Sequence, residues 1–336
     1  MLFPTWRRLI PAWGISAPLL HDEAHKSSTG SLQKIEADFY NPTNVGFYLY
    51  VPKKLPQTPP ILVSPHWCHG EALQVYNSSS FATLSEKYGF LVIYPDSPNL
   101  ADKCWDVSSK GTLSHQGASG DSLGIVNMVQ WTIKQYGADA GRVFVTGISS
   151  GAMMTNVLVG AYPDVFAAGT AFAGVPFGCF ASPDGSRDYW NSDCATGKIT
   201  HTGSEWKAIV EAAYPGYNGW RPKVQVFHGT ADEVLNYENL EQEIIEWTAV
   251  LGIDGSKPSS IVYDTPKTNW TKYVYGEEDW FEAYSAWNVT HNIGNHEDVA
   301  MAWFDLTCTK DDCFRWGKGG PLGDSLKNST KSSRAV

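Results

Sequence analysis

The stretch VFVTGISSGAMMTNV, residues 143 to 157, sets a pair of serines between two glycines, behind a β-branched run and ahead of a helix-forming tail. Gly147, Ser149 and Gly151 stand in the spacing G-x-S-x-G, in which a strand turns sharply into a helix and lifts the central hydroxyl into a cleft. The pentapeptide alone recurs by chance in a chain this rich in glycine and serine, so its setting has to carry the reading. RVFVTG reads as a buried strand, and SGAMMTNVLVGAY as a helix whose first amides face the turn. Ser149 is therefore the expected nucleophile, and Ser150 is expected to contribute its backbone N–H more than its hydroxyl. The alternative is a tight glycine turn with no chemistry.

A serine hydroxyl is a weak nucleophile at neutral pH and needs an imidazole within hydrogen-bond reach, itself held in one tautomer by an acid. On parallel α/β scaffolds the acid and then the histidine follow the serine, each from a loop after a strand. Asp232, in VQVFHGTADEV, stands just beyond a strand end; Asp254 and Asp264 compete from polar stretches without so clear a strand before them. His291 follows FEAYSAWNV, a plausible last strand, and is the expected base, with His296 the fallback and His228 read as a structural residue of a strand end. The oxyanion of an ester intermediate needs two amides, one after the nucleophile and one after an early strand. Ser150 and Cys68, the latter in ILVSPHWCHG, are the candidates. Two further serines, Ser122 and Ser325, lie in GDSL tetrapeptides, but the first sits at a helix start and the second in a polar tail, without the D-x-x-H such a site would want.

The elements that must position these groups alternate. VGFYLYV and PILVS read as strands, FATLSEKYG as a helix closed by Gly89, FLVIYP as a strand. Leu123, Val126, Val129, Ile133 and Tyr136 recur at helical spacing behind an Asp121 cap and before Gly137. After RVFVTG come KVQVFHG as a strand and ENLEQEIIEWTAVLG as a helix with Leu240, Ile244, Trp247 and Leu251 on one face. The fold class is α/β, a mostly parallel central sheet flanked by helices. Residues 31 to 306 form the expected domain, residues 1 to 30 an N-terminal segment, and residues 307 to 336 a largely flexible appendage. The glycine- and proline-rich region from 176 to 222 is expected to be a surface excursion beside the site.

The 336 residues carry a formal charge of -10, which argues against nucleic acid as partner because phosphate binding needs a basic footprint. No apolar run is long enough to cross a bilayer as a helix, so no membrane partner is expected. Cys68, Cys104, Cys179, Cys194, Cys308 and Cys313 form an even set without C-x-x-C spacing or a histidine cluster, which points to disulfides, with no metal and no cofactor. Sequons at Asn77, Asn269, Asn288 and Asn328 fit a secreted, extracellular glycoprotein. Arg7 and Arg8 precede LIPAWGISAPLL, an atypical signal segment interrupted by Pro11 and Pro18, or else the recorded start is not the true one. A monomer is the default expectation.

The stretches NPTNVGFYLYVP, HWCHG, YGFLVIYPDSP, CWDVSS, VFVTGISSGAMMTNV, AGVPFGCF, YPGYNGWRPK and FHGTAD together resemble the fungal acetylxylan and feruloyl esterases of carbohydrate esterase family 1, relatives of polyhydroxybutyrate depolymerases. The resemblance spans about residues 30 to 306 and implies an α/β-hydrolase fold with a Ser149, Asp232, His291 triad. It also implies pairing of Cys68 with Cys104 and Cys179 with Cys194, which leaves Cys308 and Cys313 to each other, outside the usual family pattern. Around the histidine the family has a glycine before it and a proline three residues after, where this chain has Thr290 and Gly294. The expected substrate is acetylated xylan of the plant cell wall, with feruloylated arabinoxylan as alternative and a catalytically silent carbohydrate-binding protein as rival of another class. Trp67, Trp105, Trp190 and Trp220, among fourteen tryptophans, are the candidate faces for sugar or a phenolic ring, each with core packing as its competing role.

Overall fold

A computed structural model describes residues 29–276, 280–308 and 313–314. Residues 1 to 28 of the expected N-terminal segment (1 to 30), the GDSL serine Ser325 and the Asn328 sequon lie outside the described residues. The chain opens with strands β1 (Leu32–Lys34), β2 (Gly46–Tyr50) and β3 (Ile61–Val63), then helices α1 (Ala72–Ser78) and α2 (Phe81–Tyr88) and strand β4 (Leu91–Asp96). Helix α3 (Asp121–Tyr136), strand β5 (Val143–Ile148), helix α4 (Ser150–Ala161) and strand β6 (Ala168–Phe172) follow. Helices α5 (Ser192–Ala195) and α6 (Gly203–Ala213) precede strand β7 (Lys223–Gly229) and helix α7 (Glu238–Leu251). Strands β8 (Ser260–Tyr263), β9 (Trp270–Tyr275) and β10 (Phe281–Ala286) and helix α8 (Glu297–Trp303) are the last elements among the described residues.

The strands form one ten-stranded sheet in the order β1-β2-β4-β3-β5-β6-β7-β10-β9-β8. From β4 to β10 the neighbours are parallel, whereas β1, β2, β9 and β8 join antiparallel at the two edges. The expected mostly parallel α/β sheet is thus present, with its parallel strands buried on both faces. Side chains alternate across it: Ile61, Val63, Val143 and Val145 pack with α3, α4, α6 and α7, whereas Leu62 and Phe144 pack with α1, α2 and α8. Helix α4 is buried along its whole length, as its nearly uninterrupted apolar sequence requires.

Local chemistry sets the helix ends. Gly89, Gly137 and Gly252 close α2, α3 and α7 in the left-handed conformation. The expected Asp121 cap is corrected: Gly120 is the N-cap and Asp121 is the first helical residue, its carboxylate accepting the amide of Asp106 instead. The region from 176 to 222 is also more structured than its composition suggests. Thr202 and Glu205 form a capping box that starts α6, and α6 drives Trp206 fully into the core. Farther along, Cys308 pairs with Cys313, and Phe314 packs edge-on against Phe144 with centroids 4.7 Å apart. The first residues of the expected appendage therefore belong to the core; its remainder lies outside the described residues.

Two consequences can be measured. Thr202→Ala removes the cap oxygen and should lower unfolding free energy by about 1 kcal/mol in urea melts, without a change in specific activity. The second concerns α7, which buries Glu243 and Glu246 completely; burial pushes Glu243 up to about 7 and Glu246 well above the ordinary carboxylate range. A carboxyl whose pKa is raised on folding keeps its proton where the unfolded chain has released it, so its favourable contribution is full below about 4.5 and is lost as pH rises through the folded value. Melting temperature should fall between pH 5 and pH 7.5, and Glu246→Gln should flatten that fall; an equal slope in the variant would mean that Glu246 is not held protonated.

Candidate active site

Ser149 follows β5 directly and occupies the N-cap position of α4 with φ 55° and ψ -122°. A positive φ is costly for a residue with a Cβ, so the surroundings must impose it. They do so by close packing. A Cβ on Gly151 would collide with the carbonyl of Pro65, and one on Gly147 with the backbone of Gly151. The Ser149 amide is tied to the carbonyl of Phe172 on β6 at 2.9 Å, which leaves the hydroxyl projecting beyond the strand ends. Ser150 directs its own hydroxyl elsewhere, accepting the Trp105 amide at 2.8 Å.

Two loops at the same end of the sheet bring in the other groups. His291, beyond β10, places Nε2 2.8 Å from Ser149 Oγ and Nδ1 2.8 Å from Asp232 Oδ2. With Nδ1–H donating to the carboxylate, Nε2 is free to accept the serine proton. Asp232, beyond β7, is buried, and its Oδ1 accepts the amides of Val234 and Leu235 at 2.9 and 2.8 Å. Burial works against the ionised acid, but hydrogen bonds from His228 and His291 outweigh it and hold Asp232 well below the usual carboxylate range. The loops are knitted together, since Thr230 N–H donates to Ala286 O, Ala231 N–H to Val289 O, and Asn288 N–H to Thr230 Oγ1. Glu233 Oε2 accepts the backbone amide of His291 at 3.1 Å.

The remaining sequence candidates fall elsewhere. His296 is buried with Nε2 directed to the Ile293 carbonyl at 3.2 Å, among Phe172, Phe227 and Trp270. Ser122 is buried in α3 and donates to the Thr112 carbonyl. Asp254 and Asp264 accept nearby amides of their own loops, from Ser256 and Asn269. Cys68 lies in the segment after β3 whose Pro65 and His66 carbonyls abut Gly151 at the head of α4, so the two amides expected to face an oxyanion belong to adjoining segments. A disulfide to Cys104 anchors that segment. Cys179 pairs with Cys194. Asp305 with Cys308 and Cys313 is a cluster of metal-ligand type, but both sulfurs are spent on their disulfide and Asp305 accepts the Phe314 amide.

Of the four candidate tryptophans, Trp105 requires correction. Trp105 is 1% exposed, with its indole N–H on the His66 carbonyl, and cannot offer a face to a ligand. Trp220 lies ahead of β7, at the sheet end opposite Ser149, beside a cavity of about 880 Å³ that Tyr217, Arg221 and Phe166 also line. Trp67 is half-buried next to Cys68, and Trp190 is exposed, edge-on to Phe180. Trp287, which the sequence did not single out, is 69% exposed just beyond β10. His228 stands at the strand end as expected, fully buried and hydrogen-bonded. Its Nε2 lies 3.2 Å from Asp232 Oδ2 and 2.9 Å from the Leu235 carbonyl. The signal was its place four residues before Asp232, where a strand end delivers both to one loop.

The chain is similar to known proteins over most of its length. The family model for esterase PHB depolymerases matches residues 45–256. Probable acetylxylan esterase A of Aspergillus niger is 48% identical over 276 residues, covering 82% of this chain and 90% of its own. Acetylxylan esterase A of Emericella nidulans is 45% identical over 299 residues, 89% of this chain and 96% of its own. Among solved structures, acetyl xylan esterase from Aspergillus awamori matches with a TM-score of 0.80 at 47% identity, covering 82% of this chain and 100% of that one. Matched by that model and nearly half identical to these relatives over most of its length, the chain belongs to the esterase PHB depolymerase family, a carboxylic ester hydrolase on an α/β-hydrolase fold.

Proposed function

We propose that the protein is a secreted serine esterase that removes acetyl groups from xylan through an acyl-enzyme. The observation that carries this reading is the continuous hydrogen-bonded line from Ser149 through His291 to Asp232, with both links at 2.8 Å. Ser149 Oγ attacks the acetyl carbonyl carbon while its proton passes to His291 Nε2, and Asp232 holds the imidazolium that results. The negative oxygen of the tetrahedral intermediate is met by the amides of Cys68 and Ser150, the latter at the positive end of α4. Collapse breaks the ester C–O bond, the departing sugar oxygen takes the proton from Nε2, and the acetyl group remains as an ester on Ser149 Oγ. Water then repeats the sequence, with His291 as base, and releases acetate.

The choice of acetyl over feruloyl ester follows the relatives named acetylxylan esterase. Xylan as polymer partner rests on the same names. Three disulfides support an extracellular location, where such bonds persist, and among the described residues no helix is long and apolar enough to cross a membrane. A single-chain enzyme is proposed, since the triad and both amides come from one chain.

Ser149→Ala should lower kcat for an aryl acetate by roughly 10³-fold or more and abolish labelling by a fluorophosphonate probe; turnover near the parental rate would remove the serine mechanism. Incubation with native feruloylated, acetylated arabinoxylan should release acetate well ahead of ferulate, measured by chromatography, and the reverse ratio would transfer the assignment to feruloyl esters.

A further inference from the structure

The acid of the proposed triad has a partner that the triad itself does not require. His228, in register with Ser285 of β10 near the end of β7, is fully buried, and its ring stands edge-on to Tyr237 at 6.2 Å between centroids. Its Nε2 faces two acceptors, the Asp232 carboxylate and the Leu235 carbonyl, and must therefore carry a proton. Asp232 Oδ2 then has two imidazole nitrogens beside it, His291 Nδ1 at 2.8 Å and His228 Nε2 at 3.2 Å, the single Nε2 proton being shared with the Leu235 carbonyl at 2.9 Å, while Oδ1 receives the amides of Val234 and Leu235. A buried carboxylate so occupied is fixed in orientation and has its charge spread over four donors.

We propose that His228 is a positioning residue for catalysis: its Nε2–H orients the Asp232 carboxylate and limits the negative charge that Asp232 presents to the His291 imidazolium. This rests on the serine-esterase reading given above. The groups facing His228 come from several elements. Asp232 lies in the following loop, with His291 and Glu233 beyond it. Helix α7 supplies Tyr237, whose hydroxyl bonds Ser285, and Glu243, which favours the protonated ring. Glu243 in turn accepts the Asn156 amide of α4 at 2.6 Å, with Glu246 farther along α7. Without the His228 donor, more of the Asp232 charge falls on His291. Its protonated form is then stabilised, and the free base is reached only at higher pH.

The test is the pH dependence of kcat/KM on an aryl acetate for the intact enzyme, His228→Leu and His228→Gln, each normalised by fluorophosphonate labelling of Ser149. His228→Leu should lower kcat/KM by roughly 10- to 100-fold, the scale of a lost buried hydrogen bond to a charge, and move the acid limb upward by about half a pH unit or more. His228→Gln keeps an N–H donor at similar reach and should return the limb to near its parental place. If the leucine variant does not fold, His228→Asn, whose amide falls short of Oδ2, takes its place. A merely structural histidine would reduce the labelled fraction and leave the limb unmoved, which overturns the proposal, as would a glutamine variant that shifts as far as the leucine one. Failure of the serine reading would appear differently, as a parental enzyme that takes no label.

Discussion

The hydrogen bond between His291 Nδ1 and Asp232 Oδ2, 2.8 Å long and shielded from water on the acid side, is the contact that the rest of the site is arranged to preserve. An imidazole on a loop can rotate and can carry its proton on either nitrogen. Only the contact with the acid selects the tautomer in which Nε2 faces Ser149 as an acceptor. That contact joins a loop after β7 to a loop after β10, and these strands are adjacent and parallel, so the two loops leave the sheet side by side. Loop-to-loop hydrogen bonds at Thr230, Ala231 and Asn288 then fix their relative height. The site is precise because it hangs from strand ends that the buried sheet cannot move independently.

Ser149 is governed by a different constraint, the closeness of backbones. Its positive φ is unfavourable in isolation and is maintained by the packing of β5, the head of α4 and the segment after β3. The same closeness brings the Cys68 segment beside the first amides of α4. One steric arrangement therefore exposes the hydroxyl and sets the two proposed oxyanion donors in adjoining segments, and the Cys68–Cys104 disulfide holds one of those segments in place.

Elements whose sequence carries a simple apolar run are legible from it: β4, β5, β7, α3 and α7 all lie where β-branched runs or helical spacing put them. Ser149, Asp232 and His291 followed because each stands just past such an element. What escaped has physical reasons. AGTAF in β6 is made of small residues because α4 packs on it closely, so it lacks the bulky alternation that marks a strand. Helix α6 was hidden among glycines and prolines, although T-G-S-E from Thr202 to Glu205 spelled its capping box. Asp121 reads as a cap by type but answers to Asp106, fifteen residues earlier, a tertiary choice. Trp105 has the chemistry of a stacking platform, and only its burial rules it out, whereas Trp220 faces a cavity away from Ser149. His228 is the buried strand-end residue that its place in the sequence suggests, but its closeness to Asp232 is not something a residue type reports.

The electrostatics of the site pose a problem that the fold answers locally. In the proposed mechanism Ser149 and its ester accumulate negative charge two hydrogen bonds away from Asp232, in a chain whose net charge is already -10. A bare carboxylate there would favour the imidazolium before attack, which removes the base, even as it favours the imidazolium during attack, which is the aim. Backbone amides and His228 on Asp232 reduce the first effect, because they draw charge away from His291 at all times. The second is recovered by geometry, since the imidazolium stays within 2.8 Å of the acid when it forms. Behind them, burial pushes Glu246 of α7 well above the ordinary carboxylate range and so disfavours a further anion there. The balance between a base that is free and a cation that is held is thus set less by His291 itself than by how many donors its acid already serves.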